Sequence, residues 1–185
     1  VTGGGAMEWP LAARLVREAL SGLTATHRLS VTHGRILPAT LQLDREDRMK
    51  LTDFAPSGGR DGLLAVARDV ADLGLVFHEM LAGAVLPRPI RRPPELLSSV
   101  PAPIAVLVQR LIAPEGPGSL SDCAEAIAAL EEAVAQAGAG EAFGSLAKPI
   151  GTAPRTPPWA EDAGTGVASR TILVVDDEPN ILELA

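Results

Sequence analysis

The chain has almost no residues that could form disulfides or aromatic clusters. Cys123 is the only cysteine among 185 residues, tyrosine is absent, and aromatic residues make up 3% of the sequence. A single cysteine excludes an internal disulfide and a metal site built from several thiolates. We expect Cys123 to be a small core residue on the apolar side of a helix. This cysteine usage favours a reducing, cytoplasmic location.

Basic residues are also scarce. The 16 Lys and Arg residues are outnumbered by 23 Asp and Glu, which gives a net charge of −7. Because phosphate binding needs clustered Lys and Arg, we expect no nucleic-acid partner. No segment resembles a signal peptide or a membrane span, so we expect no membrane association. The chain begins with Val and ends inside an amphipathic pattern, which predicts a piece of a longer protein.

The abundant residues are hydrophobic, at 46% of the chain, and their spacing is mostly helical. The pattern predicts helices over residues 10–27, 64–81 and 103–112, and a fourth that carries Leu120 to Val134. Gly83 is the expected C-terminal cap of the second helix. Ser119 and Asp122 are interpreted as a capping box for the fourth.

Two short runs alternate as strands do, at residues 41–43 and 49–51, and a polar segment joins them. They predict a β-hairpin. The proline-laden residues 86–94 fit neither a helix interior nor a central strand. The first part of the chain is therefore predicted to be mainly α with a small β-hairpin.

Composition changes at residue 138. Residues 138–169 are rich in Gly, Ala, Pro and Thr, which predicts a disordered linker. The apolar run 172–175 then reads as a buried strand that leads into Asp176 and Asp177, and Pro179 begins a helix. A buried strand, an acidic loop and a helix in this order are typical of the start of an α/β domain.

Several motifs in residues 7–134 resemble the C-lobe of Ser/Thr protein kinases. Residues 33–40 read HGRILPAT, where the family carries H-R-D-x-K-P-x-N. Residues 53–55 read DFA in place of D-F-G, and residues 69–83 follow the family's D-x-x-x-L-G-x-x-x-x-E-M-x-x-G pattern in full. The resemblance implies a kinase-like C-lobe without an N-lobe in this chain.

The catalytic positions of the family are replaced. Arg35 stands where the resemblance places the Asp that accepts the substrate proton, and a guanidinium cannot act as that base. Leu37 replaces the Lys that steadies the transferring phosphate, and Thr40 replaces the Asn that holds a magnesium ion. We therefore predict a catalytically degenerate lobe, a pseudokinase.

Three other positions match the family. The resemblance implies that His33 braces the loop from within and that Asp69 accepts backbone N–H groups of the same loop. Neither role requires catalysis. Asp53 matches the magnesium ligand of active kinases, so it could retain Mg²⁺ or ATP; the favoured interpretation is an Asp at the hairpin end that organises a turn.

Residues 172–182, ILVVDDEPNIL, resemble the first strand and helix of a response-regulator receiver domain, which has a flavodoxin-like α/β fold. The resemblance implies that Asp176 and Asp177 bind Mg²⁺, which suits two adjacent carboxylates at a strand end. In that family a histidine kinase supplies phosphate to an Asp, which here would lie beyond residue 185.

These observations predict three segments: a kinase-like lobe at 1–137, a linker at 138–169 and a truncated receiver at 170–185. The predicted function is signalling in a two-component pathway, by protein binding and domain coupling. One alternative is an atypical Ser/Thr kinase that binds ATP. Another is a response regulator whose receiver is phosphorylated outside this chain.

Overall fold

The structure is a computed structural model that describes residues 5–55, 62–87, 94–95, 97–113 and 118–139. All of these belong to one of the chain's two compact units, Val1–Lys148. Their elements follow one another as α1 (Trp9–His27), a 3₁₀ turn (Pro38–Thr40), β1 (Leu41–Leu43), β2 (Met49–Leu51), α2 (Gly62–Ala82), α3 (Ala102–Ile112) and α4 (Cys123–Gln136). The predicted mainly helical structure with one small hairpin is confirmed for these residues.

Helix α2 is largely buried along its second half. It packs against α1 on one side and α3 on another, while α4 packs against both α1 and α3. Nearly every residue from Leu73 to Leu81 is buried, as expected for a helix surrounded by others. By contrast, α1 buries one stripe of small and branched residues and begins with Pro10 in its first turn. The four helices share a single hydrophobic core.

Two glycines allow close approaches at α2. A Cβ atom on Gly74 would lie 2.7 Å from the Cβ atom of Leu111 in α3, so the two helices touch there through backbone. Gly83 ends α2 in the left-handed conformation, with φ +68°, and its N–H donates to the carbonyl of Glu79. The predicted C-terminal cap is therefore confirmed.

The hairpin pairs β1 and β2 in antiparallel register, with Leu41 opposite Leu51 and Leu43 opposite Met49. These bounds are the ones that the sequence predicted. Leu41 and Met49 are buried, and β2 lies against α1. Residues 52–55 then lead from the hairpin back toward the loop that precedes the 3₁₀ turn, where the N–H of Ala55 donates to the carbonyl of His33.

The predicted capping box of α4 is wrong. Its N-cap is Asp122, whose carboxylate accepts from the backbone N–H groups of Ala124 and Glu125. A carboxylate that can reach two unpaired N–H groups of the first turn is a better cap than the serine three residues earlier. The predicted linker beyond residue 139 and the predicted receiver start lie outside the described residues.

Candidate functional site

One buried carboxylate organises the loop between α1 and the 3₁₀ turn. Asp69, in the middle of α2, is fully buried. Its Oδ2 atom accepts from the backbone N–H of His33 at 2.7 Å, and its Oδ1 atom accepts from that of Gly34 at 2.8 Å. Gly34 has φ +80°, a conformation that favours glycine. The contact that the resemblance implied for Asp69 is thus present in the structure.

The same carboxylate binds a histidine at the end of α1. His27 Nε2 lies 2.9 Å from Asp69 Oδ2, and His27 Nδ1 lies 3.5 Å from the Sγ atom of Cys123 at the start of α4. Because a carboxylate only accepts, Nε2 is the donor of this hydrogen bond, and Nδ1 faces the thiol. Asp69 thereby joins α1, α2 and α4 to the loop at residues 33–34. We call these four groups the Asp69 hub: Asp69, His27, Cys123 and the backbone of 33–34.

The geometry of Cys123 resembles a nucleophile beside a histidine, but its environment is that of an inert thiol. Burial, followed by the negative charges of Asp122 and Asp69, raises the pKa of Cys123 from 9.0 to about 12. Cys123 is 2% exposed. Since the thiolate is the reactive form, this cysteine is suited to a structural role, in agreement with the prediction from sequence.

His33 lies inside the same loop and is fully buried. Its ring packs against that of Phe54, with ring centroids 4.4 Å apart and planes inclined by 31°. Its Nδ1 atom accepts from the N–H of Arg35 at 3.4 Å, and its Nε2 atom has no hydrogen-bond partner among the described residues. The loop is therefore held from both sides, by His33 through its ring and by Asp69 through its carboxylate.

The three positions that match catalytic residues of kinases lie on this loop and the 3₁₀ turn. Arg35 is exposed and Leu37 is half-buried. Thr40 is buried, and its hydroxyl both accepts from the N–H of Leu37 at 3.1 Å and donates to its carbonyl at 3.0 Å. The hydroxyl of Thr40 therefore closes the turn. Apart from that committed oxygen, these three side chains offer no oxygen ligand and no general base.

Asp53 is exposed and lies two residues beyond β2. Its backbone is left-handed, with φ +57°, and its carboxylate accepts from the hydroxyl of Thr52 at 3.2 Å. Among the described residues, no group of three or more His, Cys, Asp or Glu side chains is placed to hold a metal ion. Residual binding of Mg²⁺ or ATP at Asp53 stays a prediction.

The turn between β1 and β2 is organised by Asp44. Asp44 Oδ1 accepts from the N–H groups of Glu46 at 3.0 Å and Arg48 at 2.9 Å. Its Oδ2 atom pairs with the side chains of Arg48 and Lys50. The backbone hydrogen bond from Arg48 is the largest cause that lowers the pKa of Asp44 from 3.8 to about 2.

Sequence reasoning placed His33 and Asp69 together but missed His27 and Cys123. No sequence signal relates His27 to Cys123, which lies 96 positions further along the chain. Asp176 and Asp177, the predicted metal ligands of the receiver, lie outside the described residues.

Comparison with known proteins adds no family to these observations. No model of a protein family matches the chain, and no curated protein matches it either. Among the described helices, none has both the length and the apolar character that crossing a membrane requires.

Proposed function

We propose that this chain is the catalytically inactive, kinase-like C-lobe of a signalling protein, a pseudokinase that acts by binding and domain coupling. The observation that carries the proposal is the hydrogen bonding of Asp69 to the N–H groups of His33 and Gly34. The same Asp and His occupy the matching positions in the kinase family. A loop held in this way keeps its shape without any need for catalysis.

The side chains on that loop support a loss of phosphoryl transfer. A protein kinase needs a base that accepts the substrate proton and cations that neutralise the charge of the transferring phosphate. Arg35 stays protonated and cannot serve as the base, while Leu37 carries no charge. The framework of the loop is therefore kinase-like, and the groups that would perform the reaction are absent from their positions.

The described residues do not fit the family's magnesium site well. Mg²⁺ demands near-octahedral coordination by oxygen ligands. Asp53 supplies one carboxylate, while Thr40, at the second ligand position, commits its hydroxyl to the backbone of Leu37. The proposed function therefore involves neither Mg²⁺ nor ATP. In the proposed function, the linker at 138–169 and the receiver start at 170–185 would couple the lobe to a phosphorelay.

The experiment is an assay of phosphate transfer from radiolabelled ATP to a general protein substrate, with the natural protein in its full length. The expected result is no transfer above that of an Asp53→Ala variant. The matched control is Asp47→Ala, another exposed Asp with a left-handed backbone. Robust transfer that disappears in Asp53→Ala and persists in Asp47→Ala would favour the atypical kinase and overturn the pseudokinase.

A further inference from the structure

A cavity of about 320 Å³ lies between the start of the described chain, α1, the hairpin and the end of α2. None of the residues discussed as catalytic or framework positions lines it. All three methionines of the chain do, namely Met7, Met49 and Met80. Leu15 and Val76 contribute further apolar surface from α1 and α2.

Backbone contacts fix the wall at the end of α2. The N–H of Met7 donates to the carbonyl of Met80 at 2.8 Å. A Cβ atom on Gly83 would collide with the backbone nitrogen of Ala6, so residues 5–6 pack directly against this glycine. Hydrogen bonding and close packing therefore hold this wall of the cavity in place.

The polar groups at the cavity indicate the chemistry of its occupant. Glu79 is the one charged residue of the lining, and its Oε1 atom accepts from the N–H of Leu86 at 2.8 Å. The buried side-chain atoms without a hydrogen-bond partner, among the described residues, belong to Arg14, His33 and His78, which do not line the cavity. The lining therefore offers an occupant mainly apolar contact, which favours an uncharged apolar ligand.

We propose that this cavity binds a small uncharged apolar molecule, of the size of one or two aromatic rings or a short alkyl chain. Its volume is at the lower end of the range for small-molecule sites, which is roughly 300–1,000 Å³. Methionine side chains are flexible and polarisable, so three of them can adapt to an aromatic or an alkyl ligand. The site is separate from the Asp69 hub, and the inference does not depend on the pseudokinase proposal.

The methionines also provide the experiment. The whole chain is prepared with isotope-labelled methyl groups on Met and Ile and titrated with the uncharged fluorophore N-phenylnaphthylamine. We expect the three Met signals to shift together and saturably in the NMR spectrum. The described isoleucines, at residues 36, 104, 112 and 127, do not line the cavity and serve as internal controls.

A pair of variants tests the location. Leu43 lines the cavity and is 46% exposed, whereas Leu63 is 88% exposed and lies outside the lining. Leu43→Lys places an ammonium group at the mouth and should weaken probe binding about tenfold or more, because a charge is costly to desolvate. Leu63→Lys should leave the affinity unchanged. Unshifted Ile signals in both variants verify that the fold is retained.

Three outcomes would overturn the inference. The first is that no Met signal shifts at saturating probe. The second is that Met and Ile signals shift alike, which indicates nonspecific binding. The third is that the Met signals move with protein concentration in the absence of the probe, which would assign the exposed apolar rim at Leu43 and Val85 to contact with a second copy of the chain.

Discussion

Two carboxylates in this structure perform the same task in opposite surroundings. Asp69 and Asp44 each accept hydrogen bonds from two backbone N–H groups and thereby fix a loop. Asp69 is fully buried, and its partners lie 35 to 42 positions away in the chain. Asp44 is half-buried in a turn at the edge of the fold, and its partners lie two to six positions away.

The difference in surroundings determines what each carboxylate contributes. A buried charge is expensive to desolvate, so it is tolerated only when hydrogen bonds and a partner compensate it. Removing one member of such a group leaves the others uncompensated. A carboxylate that stays in contact with solvent is partly hydrated after folding, so losing its partners costs less. Asp69 should therefore contribute strongly to the free energy of unfolding of the whole fold. Asp44 should affect mainly the stability of one turn.

The largest expected effect comes from Asp69→Asn. The amide keeps the size of the side chain but presents an NH₂ group to donors, so one backbone N–H in the loop loses its acceptor. Hydrogen bonds to a charged group contribute about 1.5–3 kcal/mol each, and the neutral amide weakens those from His33, Gly34 and His27 together, so the loss should be about 3 kcal/mol or more. We expect the free energy of unfolding, measured by urea denaturation, to fall by that amount.

The control for this prediction is Asp53→Asn. Asp53 is exposed and left-handed, a conformation that asparagine adopts readily, so the variant should be as stable as the parent. Equal losses of unfolding free energy in Asp69→Asn and Asp53→Asn would contradict this prediction. They would show that burial does not determine how much a carboxylate stabilises this fold.

The two carboxylates also differ in how far the sequence reveals them. Asp44 lies in a polar segment between two strand-like runs, and the hairpin bounds were predicted correctly because register and turn are set locally. The contact between Asp69 and the loop was anticipated only through the kinase resemblance. Periodicity locates Asp69 on a helix but does not say what lies opposite it.

The remaining parts of the hub depend on how helices meet in space. His27 ends α1 and Cys123 begins α4, and their contact arises because both helix ends pack beside α2 at Asp69. The wrong capping prediction at α4 has a local cause. Ser119 and Asp122 are both plausible N-caps, and only the position of the first helical turn selects between them. The methionine-lined cavity likewise follows from tertiary packing.

A smaller effect is expected for His27→Ala. The change removes one of three donors to Asp69 and the ring nitrogen that contacts the Cys123 thiol. An unmade buried hydrogen bond costs about 1–3 kcal/mol, and we expect a loss of unfolding free energy in that range.

A double variant tests whether the hub behaves as one network. In Asp69→Asn the histidine has already lost its charged partner, so adding His27→Ala should cost less than it does alone. Additive losses would mean that His27 acts on stability independently of Asp69, through packing against α4.

The smallest effect, and the one that isolates charge, is the pH dependence of Asp44→Asn. Because folding lowers the pKa of Asp44 from 3.8 to about 2, its ionised form stabilises the folded state. That contribution is complete above the ordinary pKa and is lost as the pH falls through about 2. The parent should therefore be more stable than Asp44→Asn near neutrality, and the gap should narrow below about pH 4. Asp47→Asn, at an exposed position of the same turn, is the matched control and should leave the stability near neutrality unchanged. A stability gap that is independent of pH would show that Asp44 stabilises the turn through hydrogen bonding alone. Its charge would then make no contribution.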